Sequence, residues 1–358
     1  MTTRVLGLFA LLAVASAACS TPPVDDKKLP PVNPKAAGLQ QGFGTLDRLA
    51  EAARNEGTLT VIGLPRTWVN FGEIMDRFAD KYDIKINAIS PDMASSQQQL
   101  QGAGGQAPDV YDLSLDVAVA NADKFAPYKV TGWQDIPDDL KDPSGTWYAG
   151  YGGYMSIGYD PRRMAAPRTF AELIKPGNTV ALPGDPTKTA SGFSGVMAAS
   201  LAGGKADPER GLKYFTDLKK AGALVSSPEQ ATAVLDWDYL NLARGAAAAE
   251  QGRPDWKVTV PQNAVLASHY AQAINAQAPH PAAARLWQEF LFSDEGQNLF
   301  LKGFARPVRM EAMEMRNTLD KEAAAKLPKV SGTPVTLTIP QQDAAKTYLK
   351  QHWAQQIG

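Results

Sequence analysis

Residues 146–161 read TWYAGYGGYMSIGYDP. Trp147, Tyr148, Tyr151, Tyr154 and Tyr159 favour extended backbone. Gly150, Gly152, Gly153 and Gly158 interrupt that preference and point to close backbone approach or a bend. Asp160-Pro161 ends the run with turn chemistry. If the strand is regular, Tyr148 and Tyr154 share a face. The segment reads as a strand that leaves one lobe and enters a second, with its aromatic rings along the gap. The plainer alternative is an aromatic-rich strand inside a single core. A chain of 358 residues, 44% hydrophobic and 20% charged, has material for about two domains.

The formal net charge is −1, so the chain lacks the basic footprint of a nucleic-acid binder. Three histidines and one cysteine leave little for a zinc site, and no internal disulfide can form. No cofactor is expected. Arg4, the apolar run Val5–Val14 and the small residues Ala15–Ala18 have the order of a secretory signal, too short to span a bilayer. The lone Cys19 follows directly, an arrangement that resembles the bacterial lipobox, with Ser16 where that motif usually has leucine. Residues 1–18 are therefore expected as a signal peptide and Cys19 as a lipidated N-terminus. Residues 19–43, rich in proline and without hydrophobic periodicity, read as a tether that holds a soluble body off the membrane.

The body alternates elements. Residues 46–55 and 71–82 carry helical apolar spacing; 58–63, 84–89 and 107–115 read as strands; 116–124 reads as a helix. The glycine-rich loop 102–105 is not a phosphate loop, because no Gly-Lys-Ser/Thr follows. Alternation of this kind predicts parallel sheet with flanking helices, and ligands outside the carboxyl ends of the strands. Trp68, Asn70 and Asp116 fall at those ends. Further on, a strand at 179–182, a loop at 183–194 and helices at 195–202 and 209–221 lead to Trp237-Asp238-Tyr239.

Ala278-Pro279-His280-Pro281, the apolar helix through Leu291 and Ser293-x-Glu295-Gly296-Gln297 together resemble the C-terminal half of bacterial extracellular solute-binding proteins of ABC importers. Gly184-Asp185-Pro186 before a Ser/Thr-rich stretch and the crossover at 146–161 are similar to that family too. The subtype it looks most like is the polyamine, iron, thiamine and phosphonate group. The resemblance implies an α/β, two-lobed periplasmic-binding-protein-like (type II) fold, each lobe a mainly parallel sheet flanked by helices. The first lobe would be 44–157 plus 264–310, the second 158–263, with 311–358 packing on both as helices. It implies a monomer that takes up a small solute, closes on it and docks on a membrane permease, without catalysis.

Candidate ligand contacts divide by chemistry. Trp237, Asp238 and Tyr239 suit an ammonium group through cation–π contact and charge pairing. Trp68 and Asn70 offer a wall; Asp116 offers a second carboxylate or a helix cap; Tyr151 faces the gap. Asp185, Thr187 and Ser191 precede or open a helix, where hydroxyls and amides hold anions. A cationic or zwitterionic, polyamine-like ligand is expected first. A phosphonate, a sugar phosphate or ferric iron is the alternative. Two rival classes are an enzyme on the same scaffold, for which no nucleophile elbow or metal motif speaks, and a surface adhesin. His269 and His280 read as structural.

Overall fold

The computed structural model describes residues 29–93, 96–102, 105–252 and 256–358. The signal segment, Cys19 and the tether up to residue 28 lie outside the described residues, as do 103–104 of the glycine-rich loop. The strands are β1 (Thr58–Ile62), β2 (Lys85–Ile89), β3 (Val110–Ser114), β4 (Phe125–Ala126), β5 (Trp147–Tyr159), β6 (Val180–Ala181), β7 (Leu224–Val225), β8 (Ala233–Trp237), β9 (Lys257–Thr259), β10 (Ala267–Asn275) and β11 (Arg306–Pro307). Their order, β2-β1-β3-β10-β5-β8-β6-β7, runs through both lobes. Each lobe holds a parallel set, β2-β1-β3 in the first and β8-β6-β7 in the second. The long strands β5 and β10 join these sets antiparallel, so each sheet is mixed.

Strand β5 makes the passage between lobes. Residues 147–154 pair with β10 and residues 155–159 with β8 and β9. The change of partner falls at Tyr154–Met155, three residues before the expected boundary at 157/158. Its twelve residues other than Tyr154 are all buried, because sheet or helix covers both faces. Gly153 allows a close approach at the passage itself. A Cβ there would stand 2.6 Å from the Asp238 carboxylate and 2.7 Å from the Tyr239 ring.

Helical spacing decides the first-lobe core. In the helix Phe71–Tyr82, Phe71, Ile74, Met75, Phe78 and Tyr82 are buried. Phe78 meets Trp287 at 5.1 Å and Phe290 at 5.7 Å; Phe71 meets Phe300 at 5.6 Å. Each such ring contributes roughly 1.5–3 kcal/mol on burial. The 278–281 motif is a helix start held by two first-lobe acids. The His280 amide donates to Asp109 Oδ1 at 2.7 Å and its ring nitrogen lies 2.9 Å from Oδ2. The Glu56 carboxylate accepts the amides of Ala282 and Ala283. In the 293–297 motif, Ser293 caps the next helix by accepting from the Gly296 amide. Buried Gln297 donates to the carbonyls of Gly150 and Leu291, which ties that helix to β5.

Two expectations change. The segment 33–43 is docked rather than a free tether: the Ala36 carbonyl accepts from buried Arg285, the Ala37 carbonyl from the Lys129 amide, and Phe43 is fully buried. A buried guanidinium needs acceptors, and this segment supplies one. The loop expected through 194 ends earlier. A helix starts at Ala190, because the Thr189 hydroxyl accepts from the Gly192 amide.

The packing of Gly153 gives a direct test. Gly153→Ala is expected to lower stability by about 1–3 kcal/mol, since neither the ring nor the paired carboxylate can retreat. An unchanged denaturation midpoint would contradict this close approach.

Candidate ligand-binding site

Two adjoining cavities lie between the lobes, of about 150 Å³ and 210 Å³, and share Ser96, Thr189, Ala190 and Tyr270. The first-lobe wall is the carboxyl ends of β1 and β3: Gly63, Pro65, Asp112, Ser114 and Asp116, with Trp68. The second-lobe wall is the start of the helix Ala190–Ala199. Ligand placement beyond strand ends is the position that parallel sheets favour.

The floor is aromatic. Tyr270 on β10 stacks on Tyr151 at 5.5 Å and meets Trp68 edge-on at 5.5 Å. A hydrogen-bond relay runs beneath. Trp68 Nε1 donates to the Tyr151 hydroxyl at 2.7 Å, which donates to Asp112 Oδ2 at 2.8 Å. Gln272 Nε2 donates to Asp112 Oδ1. Burial pushes the Asp112 carboxyl up to about 7, against the lowering effect of the Tyr151 and Gln272 bonds. Asp112 is thus a carboxyl at the cleft whose charge changes near neutral pH.

The opposite wall offers donors. A helix's first amides have no intrahelical partner. Here Thr189 satisfies those of Gly192 and Phe193. Among the described residues, the amides of Ala190 and Ser191 meet no acceptor, and both residues line the cleft. Gly184 makes the preceding turn possible. Its φ is +95°, and a side chain there would collide with Thr189.

The expected contacts separate into two groups. Trp68, Asp116, Thr187 and Ser191 line the cleft. The Thr187 hydroxyl donates to Asp185 and that of Ser191 to the Pro183 carbonyl. Asp116 does not cap its helix with its side chain; it pairs with Lys346 at 2.5 Å. Tyr151 is fully buried and acts through its hydroxyl in the relay. The others face elsewhere. Asn70, in left-handed backbone, spends its amide on Glu73 and the Leu299 carbonyl. Asp185 holds its own turn and lines a separate groove between that turn and the C-terminal end of the chain.

Trp237, Asp238 and Tyr239 lie behind the cleft, at most 2% exposed. The expected cation site there is filled from within. Asp238 is ion-paired with Arg306 and accepts the amides of Tyr154 and Tyr239. Arg306 lies 4.6 Å over the Tyr154 ring. A buried carboxylate without such a partner would be costly, and the partner, 68 residues away, gives no local signal. Sequence reasoning missed Asp112, Tyr270, Ser96 and Lys346. An acid inside the apolar strand 107–115 was the one available signal, since an acid rarely sits in a buried strand without a task.

Asp112 sets a pH dependence. Its folded value lies above the ordinary carboxyl value of 3.8, so its stability contribution is fully present below pH 3.8 and is lost as pH rises to about 7. Asp112→Asn is expected to escape that loss. The variant should gain up to roughly 4 kcal/mol relative to wild type between pH 4 and pH 8. Parallel unfolding curves for both proteins across that range would refute this burial of charge.

The fold is shared with solved structures of low sequence identity. An ABC transporter substrate-binding protein from Bradyrhizobium japonicum USDA 110 is 18% identical, with a TM-score of 0.64 over 84% of this chain and 100% of that one. AgtB from A. tumefacien R10, in complex with agropinic acid, is 17% identical, with a TM-score of 0.62 over 84% and 98%. AfuA from Actinobacillus pleuropneumoniae, with fructose-6-phosphate bound, is 16% identical, with a TM-score of 0.59 over 84% and 98%. A family profile described as bacterial extracellular solute-binding protein matches residues 114–331, which contain the crossover strand, the whole second-lobe wall and Tyr270. This chain belongs to the family of bacterial extracellular solute-binding proteins.

Proposed function

We propose that the protein is the substrate-binding component of an ABC importer, and that its solute is a small acid carrying a second, donating group, an amine in the first instance. The carrying observation is the polarity of the cleft: Ala190 and Ser191, at the start of a helix, line the same cavity as Asp112, Trp68 and Tyr270. An acid group suits the helix start. An ammonium suits a carboxylate beside aromatic faces. The acid-bearing ligands of the AgtB and AfuA structures support the first half of this reading. A diamine suits it less, because its second cation would sit against the positive end of a helix dipole. Lobe closure about β5 and the return crossover at 261–266, between β9 and β10, then presents the loaded form to a membrane permease. We assign no catalytic step.

Titration calorimetry with an ω-amino acid, a diamine and a sugar phosphate tests the ligand class. The amino acid is expected to bind tightest. Cation–π contact contributes about 0.5–2 kcal/mol and a charged hydrogen bond about 1.5–3 kcal/mol. Trp68→Ala and Asp112→Asn should each weaken it about tenfold or more. Its affinity should rise as pH passes through about 7, where Asp112 loses its proton, and Asp112→Asn should abolish that rise. Tightest binding of the diamine would overturn the acid-at-helix reading.

The body acts outside the cytoplasm, held by lipid at Cys19. Among the described residues no helix is long and apolar enough to cross a membrane. Lipid chains insert apolar area into the bilayer. Cys19→Ala should therefore move the protein from the membrane fraction to the soluble fraction. Equal partition of both forms would end the lipid-anchor proposal.

A further inference from the structure

The matched family region stops at residue 331, and the helix Ile339–Gln356 follows it. Its buried stripe, Ala345, Leu349 and Trp353, repeats every fourth residue and fastens it to the second lobe. Trp353 meets Phe215 at 5.5 Å, and Lys219 Nζ donates to the carbonyls of Gln356 and Ile357. The approach to the helix is fastened to the hinge. The Ala267 amide donates to the Val335 carbonyl, and the Val335 amide to that of Val265. A capping box, Thr338 with Gln341, then fixes where the helix begins. Between these anchors, Lys346 reaches across the cleft mouth to Asp116 Oδ2 at 2.5 Å. Asp116 stands on the helix Leu115–Ala120 of the first lobe. Lys346 also lies 5.4 Å over the ring of Phe193 in the second-lobe wall.

We propose that Lys346 is a positioning residue for lobe closure: with Asp116 it forms a latch that biases the ligand-free protein towards the closed form. The two charges ride on different lobes, so opening separates them and closing reunites them. The two side chains are 35% and 15% exposed, so water screens the pair only in part. Partly exposed ion pairs are individually weak, and a weak latch is what a receptor that must reopen needs. Its loss should change the ratio of closed to open protein about two- to fivefold. Because only closed protein holds solute, affinity should fall by up to the same factor.

The test is independent of ligand chemistry. In the full chain with Cys19→Ser, spin labels at Glu51→Cys and Glu209→Cys report the interlobe distance by electron–electron double resonance, without ligand. Lys346→Gln and Asp116→Asn should each shift the distribution towards longer distances, and 0.5 M salt should do the same to the parent. The reversed pair, Asp116→Lys with Lys346→Asp, should restore the shorter distances. Unchanged distributions in both single variants would overturn the latch. So would a loss of affinity in Lys346→Gln with no change in distance, because Lys346 would then be a ligand contact. Failure of the acid-plus-amine reading would appear in calorimetry alone and leave these distances untouched.

Discussion

Strand β5 has to hydrogen-bond to two sheets at once. Its first half belongs to β10 and its second to β8 and β9. A backbone that passes from one core into another cannot leave its polar groups bare on the way. It must also carry side chains that suit both cores. The sequence answers with alternating rings and glycines. Tyr148 and Tyr151 bury into the first lobe, Met155 and Ile157 into the second. Gly153 admits Asp238 and Tyr239 at the passage itself.

The site follows from that strand. The Tyr151 hydroxyl reaches Trp68 on one side and Asp112 on the other, so the cleft floor and the crossover are one hydrogen-bonded unit. Gln297 grips the Gly150 carbonyl from the neighbouring helix. Asp238 is held by the Tyr154 amide and by Arg306 on β11, which itself pairs with β5. A charge buried at a hinge costs free energy unless it is paired and hydrogen-bonded. This one has both, so the hinge is ordered by polar contacts as well as by packing.

Much of the fold was legible because its signals are local. The helix Phe71–Tyr82 announces itself by apolar spacing, β1 by its β-branched run, and the helix Pro281–Leu291 by proline followed by apolar residues. Boundaries failed where one side chain decided them. The helix at Ala190 begins where Thr189 caps it, five residues before its apolar pattern starts. The docking of 33–43 was invisible because the acceptor that Arg285 needs is about 250 residues upstream.

The sequence by itself predicted alternating α/β elements, an extended aromatic crossover at 146–161 and polar residues at strand ends; the two lobes came from the resemblance to solute-binding proteins. Each of those elements depends on periodicity or on turn chemistry within one segment. Only the tertiary structure decided which acids are spent and which face the cleft. Asp238 looked like the ligand's partner and belongs to Arg306. Asp112 looked like one residue in a strand and stands at the cleft floor with a carboxyl near neutrality. Asp116 looked like a helix cap and meets Lys346 from the far end of the chain. A carboxylate's role is set by the cations and donors within a few ångströms of it, and those come from segments that only folding brings together.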